Sequence, residues 1–173
     1  MKKPKKETVA QAMLGAYTIK EEEKYLHDIA DKFSADPGAN YRNARSIAID
    51  AHLFLELYMN IILAICTYLG AAGLGLPAKL SDLVETIRES KIGYAAKAEM
   101  MDKLGVFSKK AIKILVSVNK IRNAFAHGYE SQSPRFKHFS HFIFEKVTVK
   151  KFINDFEKVK EEFGRVLISY DSL

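Results

Sequence analysis

The stretch from Leu53 to Leu69 narrows the choice of fold more than any other part of this chain. It is apolar almost all round the helix it would form and is interrupted by Glu56 and Asn60. A helix without a polar face has no side to offer water, so other elements must surround it. The run is also slightly short for a membrane span of about 20 residues. We read it as the second half of a buried central helix that starts near Asn40 and runs to Leu69. The rest of the chain must then supply amphipathic partners to enclose it.

Those partners are legible from spacing. Thr18 and Glu21 form a capping box for a helix reaching about Ser34, with Ile19, Leu26, Ile29 and Phe33 on one face. Asp36-Pro37-Gly38 is expected to stop it. After the central helix, Gly70 to Pro77 reads as a connector, and Ser81 as the cap of a short helix over 82–90. Tyr94 to Leu104 reads as another helix, ended by Gly105. Ser108 caps a helix from Lys109 to His127 whose core stripe is Ile114, Leu115, Val118, Ile121 and Phe125. From Tyr129 to Val147 aromatic and polar residues alternate in a strand-like or extended manner: Phe136, His138, Ser140, Phe142, Phe144. Thr148 is expected to cap a last helix to about Ile168, with Phe152, Phe156, Val159, Phe163 and Val166 inward. The fold class is therefore all-α, a bundle of five or six helices with a short hairpin or extended segment before the last one.

Bulk numbers set the frame. A length of 173 residues suits one domain with a real core. Of the net charge of +6, four charges sit on Lys2, Lys3, Lys5 and Lys6, which leaves +2 for the rest. Residues 1–17 are expected to be a basic, partly disordered tail, and 18–173 a single helical domain. A near-balanced body does not by itself argue for nucleic-acid binding. The single cysteine, Cys66, permits no intramolecular disulfide, and no Cys-His spacing suggests a metal site, so no metal or cofactor is expected. The N-terminal lysines are followed by no apolar stretch of a signal peptide, which fits a cytoplasmic protein without a membrane partner.

The chemistry concentrates in Arg122-Asn123-Ala124-Phe125-Ala126-His127, closed by Gly128. Arginine presents a rigid fork of donors that suits phosphate. Histidine exchanges protons near neutral pH. An amide can orient a phosphate oxygen or a hydroxyl. Asn119, Asn123 and His127 recur at steps of four and so neighbour one another on the helix. Arg122 lies about 100° round from Asn123 and needs its length, or a second chain, to reach the same point. A looser arginine-to-histidine spacing recurs at Arg45–His52 and Arg135–His141. Only the Arg122 copy has a polar residue after the arginine, a long helical run before it and a glycine behind it.

Ile121 to His127 at the end of an apolar helix resembles the signature of the HEPN superfamily. The segment Ala95 to Phe107 is similar to that preceding the motif in mannitol operon repressor-like members, and the upstream helix carrying Glu56 resembles the family's long helix with an embedded acid. The likeness covers roughly residues 47–128. It implies an all-α bundle, usually a symmetric homodimer with the motif helices facing across the two-fold axis. It also implies, for many members, a metal-independent ribonuclease paired with a nucleotidyltransferase-like antitoxin. Carried over, Arg122 would bind the scissile phosphate, Asn123 would orient it, and His127 would be general base or acid, leaving 2′,3′-cyclic phosphate ends. One good copy of the motif per chain means that a composite site would need two chains.

Other roles fit the same residues. His127 could serve only to cap a helix C-terminus. Arg122 could pair with Glu56, and Glu56 could be a partnered buried acid. Asn119 could make a helix–helix hydrogen bond. The aromatic run 136–144 could stack bases or pack into a core. Two functional classes follow: an RNA-cleaving homodimer, or a non-enzymatic regulator or interaction module in which the motif stabilises the dimer or binds a nucleotide or protein partner. A helix-turn-helix with a basic recognition face is absent, which disfavours direct DNA reading.

Overall fold

The computed structural model describes residues 19–171 apart from positions 35 and 106. Among the described residues six helices run in the order α1 (Ile19–Asp31), α2 (Pro37–Gly73), α3 (Leu80–Glu89), α4 (Tyr94–Leu104), α5 (Lys109–Ala126) and α6 (Lys146–Asp171). A short 3-10 turn (Pro134–Phe136) and a hairpin of β1 (Lys137–His138) and β2 (His141–Phe142) lie between α5 and α6. The hairpin pairs Lys137 with Phe142 and His138 with His141, antiparallel. The tail of residues 1–17, the Thr18–Glu21 capping box and the placement of the Ile19 side chain fall outside what is described.

The central helix is α2, and every other helix packs on it. Its residues Ile47, Ala51, Leu55, Met59 and Ile62 are fully buried. By length and composition Gly38–Gly73 is apolar enough to cross a membrane; here those buried side chains are covered by neighbouring helices. The core stripe on α5 is buried as spaced, from Ile114 to Phe125. On α6, Phe152, Phe156, Val159 and Phe163 are buried, and Val166 packs partly against them.

The helix ends correct several expectations. Asp36-Pro37-Gly38 ends one helix but also starts the next: Asp36 accepts from the Gly38 N–H at 2.9 Å, and Pro37 takes the first helical turn. Proline lacks the N–H that this position would leave unpaired anyway. Helix α2 does not stop at Leu69. It runs on through Gly70 to Gly73, and the Leu74 N–H closes it on Gly70 and Ala71. Nothing crowds those glycines, and Ala71 and Ala72 favour helix enough to carry the turn. Ser81 does not cap α3; Lys79 holds that position without a side-chain bond, and the Ser81 hydroxyl goes to Asp82. Thr148 does not cap α6 either. The Glu145 carbonyl already accepts from the Val149 N–H, so the helix begins at Lys146, three residues earlier than a Thr148 cap would place it.

Ser108 does cap α5, accepting from the Ala111 N–H at 3.0 Å, and its hydroxyl also donates to Glu162 of α6. Ser108→Ala is expected to lower stability by about 1 kcal/mol. A urea titration showing no change would mean that the cap is not needed there.

The aromatic segment joins the core. Phe136 is fully buried, and Phe136 and Phe144 gather with Tyr41 and Phe125 at centroid distances of 4.8–6.2 Å. Phe125 lies within the candidate motif, so this cluster fixes the end of α5. Phe139 is the exception and stays exposed.

Candidate functional site

The end of α5 is set by its glycine. His127 is the C-cap; its backbone N–H bonds the Asn123 carbonyl at 3.0 Å. Gly128 follows with φ 63°, a conformation that costs a side-chain-bearing residue strain, and the Tyr129 N–H returns to the Ala124 carbonyl at 3.2 Å. The chain therefore leaves the helix directly after His127, whose imidazole is exposed. It lies edge-on to Tyr129, and the Arg135 guanidinium covers the face of that tyrosine at 4.5 Å.

Arg122 and Asn123 meet within one chain. Arg122 Nη1 donates to Asn123 Oδ1 at 3.1 Å, and Asn123 Nδ2 donates to Asn119 Oδ1 at 3.3 Å. These bonds fix which way the Asn123 amide points: oxygen to the guanidinium, nitrogen to Asn119. All three side chains are half-buried. Among the described residues the second nitrogen of the guanidinium fork and one amide hydrogen of Asn123 make no further bond and can serve an anion. No hydrogen bond joins the His127 imidazole to Arg122 or Asn123 among the described residues. The structure thus brings Arg122, Asn123 and Asn119 together and sets His127 one turn on, facing solvent.

Beneath them is a polar cluster that spacing did not reveal. Glu56 pairs with Lys97 of α4 at 2.8 Å, and not with Arg122. Lys97 is only 2% exposed. His52, one turn before Glu56, stacks on Tyr94 at 4.2 Å and lies 3.9 Å from Glu56. The Asn119 side chain at the end of the Arg122 chain of bonds lies close enough to this ring to oppose the effect of its burial, which brings α5 against α2 here. His52 Nδ1 and the Tyr94 hydroxyl are buried without partners among the described residues. The i, i+4 pair His52–Glu56 was the available signal. Nothing in Ala95-Ala96-Lys97-Ala98 marks its lysine as buried. A cleft of about 250 Å³ between α4 and α5 opens beside this cluster, lined by Tyr94, Ala98, Val116 and Asn119 among others.

Burial pushes the His52 imidazole down to about 4; Glu56 opposes this, and Arg122 and Lys97 add to it. His52 is thus neutral in the folded protein near pH 7. The unfolded chain takes up a proton near pH 6.5, while the folded one resists until about 4. Stability is therefore untouched above 6.5 and falls as pH drops through that window, by roughly 3 kcal/mol in all. His138 is shifted down by its burial too and adds in the same direction. Urea unfolding at pH 7 and pH 4.5 checks this: His52→Gln should flatten the difference, and an unchanged slope would refute it.

A second buried set joins α5, the hairpin and α6. The Ser117 hydroxyl bonds His138 Nδ1 at 3.0 Å, and His138 Nε2 bonds Asp155 at 3.2 Å. Burial pushes the Asp155 carboxyl up, but bonds from Lys151 and His138 outweigh it and leave it below the usual carboxylate range. The order of residues mimics a hydrolytic triad. All three are buried, however, so no substrate reaches the hydroxyl, and we read the set as a strut that holds the hairpin.

Comparison with family models, with curated proteins and with solved structures finds no significant match to this chain.

Proposed function

We propose that this protein is an HEPN-like endoribonuclease that works as a homodimer, with Arg122, Asn123 and His127 as its site. The observation that carries this reading is the bond chain from Arg122 through Asn123 to Asn119, which presents a guanidinium and an oriented amide one turn before an exposed imidazole. RNA brings its own nucleophile in the 2′-hydroxyl. That oxygen attacks phosphorus while a histidine accepts its proton; the P–O5′ bond breaks, and the leaving oxygen takes a proton. Arg122 offsets the charge that builds on the phosphate oxygens. The product ends are a 2′,3′-cyclic phosphate and a 5′-hydroxyl. A second copy would set a partner's His127 opposite Arg122, and such a nuclease would call for an inhibitory partner, a nucleotidyltransferase-like antitoxin.

The test is cleavage of a mixed RNA pool in EDTA with analysis of the ends. Cyclic phosphate ends made by wild type and lost in Arg122→Ala support the reading. No cutting by folded wild type at high concentration overturns it. One observation favours a second reading, a regulator or interaction module: the bond chain ends on Asn119, beside His52 of α2, where it also serves the fold. In that reading Arg122→Ala lowers the melting temperature or dissociates a dimer.

A further inference from the structure

The hairpin tip carries a residue that its backbone does not favour. A two-residue turn, Phe139-Ser140, joins the paired His138 and His141, and Phe139 has φ 56°. Glycine or asparagine takes that conformation readily; a bulky aromatic residue there is an outlier. Strain of this kind is kept where the side chain serves something other than the fold. The ring is 46% exposed. It touches the His138 ring at 4.5 Å, and the Lys151 ammonium stands 5.1 Å from its centroid.

That lysine belongs to a cationic group. Lys151, Lys110 and Lys158 lie 2.6, 3.9 and 3.9 Å from Asp155, and all three are more than half exposed. One carboxylate, 2% exposed and already bonded to His138, cannot neutralise three ammonium groups. The next acid along this face, Glu162, bonds the neutral Ser108 and keeps its charge, so three ammonium groups stand against two carboxylates and a positive surplus remains. Exposed Lys113 and Lys120 then lead along α5 toward His127 at steps of seven, a path of about 21 Å.

We propose that Phe139 and the Lys110–Lys151–Lys158 group form a second contact for single-stranded RNA, with a base on the Phe139 ring and backbone phosphate on the ammonium groups. An exposed ring beside surplus positive charge is how proteins hold single strands without reading sequence. The proposal deepens the ribonuclease reading and rests on it for the choice of RNA.

The test is fluorescence anisotropy with a labelled single-stranded uridine 12-mer in EDTA, on the full chain carrying His127→Ala so that the strand stays intact. Phe139→Gly should melt no lower than its parent, because glycine suits the turn, yet bind roughly tenfold more weakly. Phe139→Trp should bind like the parent. Lys110→Ala with Lys158→Ala should flatten the salt dependence of binding. Absent binding by the parent, or equal binding by Phe139→Gly, overturns the proposal. Cleavage by the unmutated chain is scored separately. Binding that depends on Phe139 without any cleavage leaves this contact standing and removes the nuclease; cleavage with binding indifferent to Phe139 does the reverse.

Discussion

Glu56→Ala is expected to lower stability by roughly 3 kcal/mol, and the melting temperature by roughly 6–12 °C. The reason is Lys97. Its ammonium is 2% exposed and bonds Glu56 at 2.8 Å. Removing the carboxylate leaves a buried positive charge with neither partner nor water. The pair also joins α2 to α4 below the Arg122 bond chain, so the loss should spread to the end of α5. Glu56→Gln keeps an acceptor for the ammonium and should cost about half as much. Urea unfolding of both variants checks this. A Glu56→Ala protein within about 0.5 kcal/mol of wild type would show that Lys97 swings out to solvent and that the pair matters little.

His127→Ala is expected to reduce RNA cleavage by about 10²–10⁴-fold, the usual contribution of one general acid or base. Stability should stay within about 0.5 kcal/mol, because the imidazole is exposed and only the backbone N–H closes the helix. Loss of activity without loss of fold separates chemistry from architecture at this residue. Mixing Arg122→Ala with His127→Ala chains adds a geometric test. If Arg122 of one chain works with His127 of another, a mixed dimer holds one intact site and recovers part of the activity. If each chain carries its own complete site, the mixture stays dead.

Where periodicity carries physical information, the sequence and structure agree. An all-round apolar helix demands a surrounding bundle, and α2 is enclosed by the other five. The spacing on α5 gives its buried stripe, and Gly128 its end, because only positive φ turns the chain there at low cost. Expectations failed at starts and stops of marginal energy. Ser81 and Thr148 look like caps in isolation, but an N-cap contributes only about 1 kcal/mol, and packing shifted both boundaries.

The chain by itself determined that Arg122 and Asn123 adjoin on one helix with His127 one turn beyond Asn123, and that this helix ends just behind them. These are consequences of local geometry, fixed by 3.6 residues per turn and one glycine. Only the tertiary structure decided what lies under them. His52 and Glu56 come from α2, Lys97 and Tyr94 from α4, and their meeting depends on how three helices cross. No spacing along one helix encodes that crossing; it is set by side-chain packing between helices. The same holds for Asp155, buried on α6 beneath three lysines from two helices. Its charge is plain in the sequence, whereas its burial, and the surplus of positive charge around it, arise only when α5, α6 and the hairpin close on one another.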